Sequence, residues 1–165
     1  MTTAHLFRRL LLALASFACV ASVTAAENPR SGVSLTVALQ DAKQIASTRA
    51  DLRVLRVEGN SMLPFFGSGA VLVVKQMPAA KLRVGMVVVY TNRFNETVAH
   101  RVIASTEAGW QVQGYNNASA DSTLVSDANL VGVVYATFHS NARANASLLA
   151  AIAGGTTVAL AAPAR

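Results

Sequence analysis

The chain has 165 residues, of which 53% are hydrophobic and only 13% charged, against about 25% charged in ordinary soluble proteins. Its 14 basic and 8 acidic residues give a formal charge of +6, but the cations are thinly spread and aromatic side chains reach only 6%, which argues against a nucleic-acid partner. Low charge with abundant Val and Ala excludes intrinsic disorder, and a single cysteine, Cys19, excludes an internal disulfide.

No Cys/His cluster has zinc-ligand spacing, and His5, His100 and His139 are scattered. Neither a metal nor another cofactor is expected.

Residues 1–26 read as a signal peptide or a membrane anchor. Arg8 and Arg9 open the segment, residues 10–23 are uncharged and apolar, and Thr24-Ala25-Ala26 sets small residues before Glu27, as a cleavage site requires. A helix over 10–26 would be about 25 Å long, short of a hydrocarbon core of about 30 Å, which favours cleavage over an anchor. Cys19 follows Phe17-Ala18, a poor lipid-attachment context, and is read as a buried small residue.

Residues 27–50 form a linker with one amphipathic helix over 36–50, where Val37, Ile45 and Ala46 stand among polar residues. From 51 to 140 the pattern is that of strands. Leu52–Val57 runs into the turn Glu58-Gly59-Asn60. Val71–Val74 and Met86–Tyr90 are β-branched runs without alternation, as in strands covered on both faces. Val98–Ala104 leads through Glu107-Ala108-Gly109 into Trp110–Gln113, and a last strand covers Leu130–Phe138. Short strands at this spacing predict a mainly β domain, an antiparallel, partly closed and coiled barrel.

Residues 141–165 are an Ala-rich tail. Gly154-Gly155-Thr156-Thr157 interrupts its uncharged stretch, so it reads either as a surface-docked tail or as a weakly inserting membrane segment. If both ends spanned, Arg8, Arg9 and Arg165 would share the cytoplasmic side. The expected location of the β domain is extracytoplasmic either way: exported, and free or membrane-associated.

Three polar groups could carry chemistry. Ser61 sits in Ser61-Met62-Leu63-Pro64, just past a strand. A serine nucleophile must be exposed, fixed in orientation and close to backbone N–H groups. Gly59 permits an unusual backbone there and Pro64 stiffens the exit. A serine in a turn is ordinarily a plain turn residue. His100 lies in the apolar Val98-Ala99-His100-Arg101-Val102, an odd place for a titratable ring without a partner, and imidazole is the usual base for a serine hydroxyl. A core histidine bonded to backbone is the plain alternative. Asp121 closes the loop that begins Gly114-Tyr115-Asn116-Asn117 and is the best-placed carboxylate to orient His100; otherwise it is an exposed loop aspartate.

Taken as an ordered series, Ser61-Met62-x-Pro64, the Gly69 turn, Leu82-Arg83-Val84-Gly85, Val98-Ala99-His100-Arg101-Val102, Gly114-x-Asn116-Asn117 and Val131-Gly132 resemble the signal peptidase I superfamily of serine endopeptidases (the S24/S26 group). The likeness spans residues 54–138. Histidine followed by Arg-Val is similar to the archaeal and endoplasmic-reticulum branch, whereas the typical bacterial enzymes and the SOS-type autoproteases use lysine. The resemblance implies Ser61 as nucleophile, His100 as base and Asp121 as its carboxylate, with the Ser61 N–H and Asn60 at the oxyanion. Gly59, Met62, Pro64, Gly114, Asn116 and Asn117 would support them.

It further implies an extended peptide or preprotein substrate with small side chains at the first and third positions before the bond. The sequence departs from the family at three Gly-Asp pairs, keeping Gly69, Gly85 and Gly114 but carrying Ala70, Met86 and Tyr115 in place of the acids. A catalytically degenerate exported domain that binds peptides or partners is therefore the alternative to an active peptidase.

Overall fold

The computed structural model describes residues 27–142 and the two-residue strand at 159–160. The readings of residues 1–26, of Cys19 and of most of the tail lie outside the described residues. Among the described residues no helix is long and apolar enough to cross a membrane.

Among the described residues, one helix and seven strands follow in chain order: α1 (Leu35–Ser47), β1 (Leu52–Val57), β2 (Val71–Lys75), β3 (Val87–Thr91), β4 (Thr97–Thr106), β5 (Gly109–Gln113), β6 (Leu130–Phe138) and β7 (Ala159–Leu160). A single 3₁₀ turn, Ala79–Lys81, lies between β2 and β3. The strands form one sheet in the order β5-β4-β3-β6-β2-β1-β7. All pairings are antiparallel except that of β7 with β1.

The β-branched runs do form strands covered on both faces. In β2, Val71 and Val73 pack under the helix with Leu35, Ala38, Leu39, Ala42 and Leu52. Leu72 and Val74 face the other way, into a cluster with Leu55, Val57, Met62, Phe66 and Ala99. In β3, Val88 and Tyr90 join Leu82, Val98, Val102 and Val112, while Val89 points into the Met62 cluster. Side chains alternate across a strand, so runs that lack polar alternation need apolar cover twice.

The mainly β, antiparallel fold is the predicted one, but the sheet is not closed into a barrel. Its order is linear, and among the described residues no ladder joins β5 or β4 to β1. Register shifts at Val73/Val74, Val89/Tyr90 and Val102/Ala104 bend the strands and bring β4 alongside β7. The free edge of β1 is taken by β7 instead of by a closing strand.

Helix α1 begins at Ser34, whose hydroxyl accepts from the Val37 N–H, satisfying one of the free donors of a helix start. Its buried stripe is Leu35, Ala38, Leu39 and Ala42, while Val37 and Ile45 are exposed. The helix therefore packs into the core of the β domain.

Candidate active site

The nucleophile candidate sits on the loop from β1 to β2. The base of that loop is closed by Val57 N–H donating to the Ala70 carbonyl and Gly69 N–H to the Val57 carbonyl, at 2.9 and 3.1 Å. Met62 and Phe66 anchor it in the core. Gly59 adopts φ +106°, a conformation that a side chain would strain, and this lets the chain leave β1 sharply and lift Ser61 to the surface. The Asn60 side-chain oxygen turns toward the Ser68 N–H at 3.4 Å, so that carboxamide closes the loop. The Ser61 N–H donates to no group among the described residues.

His100 comes from the middle of β4, on the face shared with Val98 and Val102. It is 2% exposed. Its Nε2 lies 3.0 Å from the Ser61 Oγ, and its Nδ1 meets the Asp121 Oδ2. Asp121 arrives on the connection from β5 to β6, held where its own N–H donates to the Val112 carbonyl at 2.9 Å. An antiparallel bridge between Trp110 and Val125 secures the same connection. The structure thus brings Ser61, His100 and Asp121 together from three separate parts of the chain.

The Gly114–Asn117 turn is the brace between the serine loop and the aspartate loop. Asn116 N–H donates to the Ser61 carbonyl at 2.8 Å, and the Asn116 amide donates to the Asn60 carbonyl at 3.2 Å. Gln113 Nε2 donates to the Asn117 carbonyl at 2.8 Å. Gly114 is required by close approach: a Cβ there would stand 2.7 Å from the Ser61 carbonyl oxygen.

Tyr90 of β3 was not among the residues picked out from the sequence. Its hydroxyl donates to the same Asp121 Oδ2 that faces His100. Burial first, and the bond to Asp121 second, push its phenol well above the ordinary value of 10.0. The available signal was chemical: a tyrosine that ends a buried valine run needs a partner for its hydroxyl.

Two recesses flank the histidine. On the Asp121 side an open cavity of about 470 Å³ is lined by Tyr90, Phe94, Val98, His100 and Asp121, among others. Beside Ser61 there is only a dimple of about 10 Å³, walled by Val57, Met62, Phe66, Val98 and Ala99. That is room for about one water-sized group. Among the described residues no set of three or more His, Cys, Asp or Glu side chains could hold a metal ion.

A family model described as Peptidase S24-like matches residues 18–135. The chain belongs to the Peptidase S24-like family. Signal peptidase I W of Bacillus subtilis (strain 168) is similar to it, 37% identical over 79 residues, which is 45% of this chain and 42% of that protein. The chain thus covers less than half the length of this curated relative. No solved structure matches significantly. Membership in the family, with this relative, supports a peptidase-like function.

At one of the family-pattern departures, Tyr115, a stack stands where the pattern carries an acid. Tyr115, where the S24/S26 pattern carries an acid, lies under the Arg101 guanidinium at 4.4 Å and against the Phe65 ring at 4.2 Å between centroids. Arg101 is thereby held on the face opposite His100. Neither Asp127 nor Glu107 stands in for the acid: Asp127 accepts from the Ala79 N–H at the 3₁₀ turn, and Glu107 is exposed at the β4–β5 turn.

Proposed function

We propose that the chain is a serine endopeptidase acting on extended peptides or preproteins through an acyl-enzyme. The observation that carries this reading is the 3.0 Å approach of Ser61 Oγ to His100 Nε2, with Asp121 on the other ring nitrogen. With Nδ1–H donated to Asp121, Nε2 has a lone pair to accept the serine proton. Oγ attacks the peptide carbonyl, the proton passes to Nε2, and the carbonyl oxygen takes the charge near the Ser61 N–H. His100 then gives that proton to the leaving amine as the C–N bond breaks. Water, deprotonated by the same nitrogen, hydrolyses the ester and frees the serine.

The dimple beside Ser61 supports a small side chain immediately before the scissile bond, since a larger one would displace Met62 or Phe66 from the core. Export, with the catalytic domain on the outer side of a membrane, follows the reading of residues 1–26.

The test is Ser61→Ala in the full chain, assayed on peptides with alanine before the scissile bond and with a serine-directed fluorophosphonate. Cleavage and labelling should both vanish while the unfolding transition stays in place. The three missing acids favour a second reading, a peptide-binding domain without catalysis. That reading would be upheld by folded wild-type protein that neither cleaves nor labels.

A further inference from the structure

Strand β7 differs from every other strand of the sheet. It runs parallel to its neighbour, pairing Ala159 with Arg56 and Leu160 with Val57, whereas β1 to β6 are joined only by antiparallel ladders. It lies between two strands that both lead to the site. β1 delivers the chain to Ser61 four residues after Val57, and β4, which carries His100, lies on its other side. The dimple beside Ser61 is walled by these same two strands, through Val57 on one and Val98 and Ala99 on the other.

An edge such as that of β1 presents unpaired N–H and C=O groups, which an extended peptide satisfies by adding a strand. We propose that the chain's own segment around Ala159–Leu160 is the resident occupant of the groove between β1 and β4, lying where the proposed peptide substrate would dock. This rests on the peptidase reading of the site and adds the register and direction of the bound peptide. The peptide runs parallel to β1 and advances toward Ser61.

The occupant is argued from three observations. On the edge of β1 away from β2, the described residue pairs are Arg56 with Ala159 and Val57 with Leu160. Residues 158–164, Val-Ala-Leu-Ala-Ala-Pro-Ala, carry no charge and are mostly alanine. The dimple admits about one methyl-sized group, so alanine is the chemistry it accepts. A peptide so placed competes with substrate in the same groove, and its tether raises its effective concentration into the millimolar range. The segment is therefore self-inhibitory.

The test uses the full chain and the double variant Ala159→Pro/Leu160→Pro, since proline cannot donate to a ladder. The first readout is the rate of fluorophosphonate labelling, with Ser61→Ala as the blank. The second is amide hydrogen exchange at Arg56 and Val57. The double variant should label roughly tenfold faster than the wild type, and a synthetic peptide of residues 156–165 added to it should restore the slow rate. Equal labelling rates in the two chains, with the blank silent, would overturn self-inhibition and leave the peptidase reading intact. If no chain labels, the peptidase reading fails by itself and exchange decides the docking. Faster exchange at Arg56 in the double variant, with Val57 held by the Ala70 carbonyl as the internal reference, upholds the strand, and unchanged exchange at Arg56 refutes it.

Discussion

Tyr90 and His100 converge on one oxygen, Oδ2 of Asp121, from adjacent strands whose register sets Tyr90 opposite Val98 and His100 opposite Val88. The carboxylate is thus fixed by two donors, and the imidazole is fixed by the carboxylate. Tyr90 acts on the reaction only through Asp121, as a positioning residue.

Tyr90→Phe keeps the ring in its buried place and removes the phenol. Loss of one bond to a charged acceptor should lower kcat by about tenfold with little change in KM, measured on a peptide substrate. The alkaline stability curve supplies a second readout. The folded phenol titrates well above 10.0 because it is buried and bonded to Asp121, and the unfolded one titrates near 10. Tyr90 therefore contributes stability that is complete below about pH 10. As pH rises further the unfolded chain loses that proton first, so stability falls. Wild type should lose stability more steeply than Tyr90→Phe above about pH 10 in denaturant titrations, and the two curves should run parallel below it.

Gly114→Ala should separate positioning from folding. Its Cβ would meet the Ser61 carbonyl oxygen at 2.7 Å and the Asn117 amide at 3.0 Å, so the brace through Asn116 must move. A shift of the serine by a fraction of an ångström to about 1 Å is expected to cost roughly 100-fold in kcat/KM. The cost in stability should be about 1–3 kcal/mol. Steady-state kinetics and urea unfolding on the same preparation check both figures.

Tyr115→Asp puts back the acid that the family pattern places after Gly114. It removes the Arg101 cation–π contact, a matter of about 0.5–1 kcal/mol, and offers a surface ion pair worth about 0–1 kcal/mol in exchange. Stability should stay within about 1 kcal/mol of wild type, and cleavage within a few-fold. A large loss of either in unfolding or turnover assays would show that the Phe65–Tyr115–Arg101 stack is required for the site's shape.

The strands and the Ser61, His100 and Asp121 grouping were legible because each leaves a local mark. Val71–Val74 and the run into Tyr90 lack polar alternation, His100 interrupts an apolar strand, and Ser61 follows a glycine turn. What the sequence did not disclose depends on register and on distant pairing. Tyr90 reaches Asp121 only because β3 and β4 pair with Tyr90 opposite Val98. Strand β7 takes the edge of β1 in the open sheet, a contact between residues about a hundred positions apart that no periodicity reports. The Asn60 side-chain oxygen turns to Ser68, because the tight loop back to Gly69 brings that N–H within reach, a contact that no local pattern announces.

The helix shows the same limit in energetic form and gives a direct test. Val37, Ile45 and Ala46 marked it as amphipathic, yet of these only Ala46 packs, half-buried, beside the stripe of Leu35, Ala38, Leu39 and Ala42 that covers Leu52, Val71 and Val73. Alanines score as weakly apolar but allow the helix to approach the sheet closely, and Ala42 is 0% exposed. Ala42→Leu must force the helix off β2 or bend side chains out of their rotamers, at a cost of about 1–3 kcal/mol. Ile45→Ala removes more apolar carbon but from a residue 36% exposed, and should change stability by no more than about 0.5 kcal/mol. The two variants, compared by urea unfolding, thus invert the order that hydrophobicity alone would assign. If Ile45→Ala proves the more damaging, the helix docks through its other face and the buried stripe is wrong.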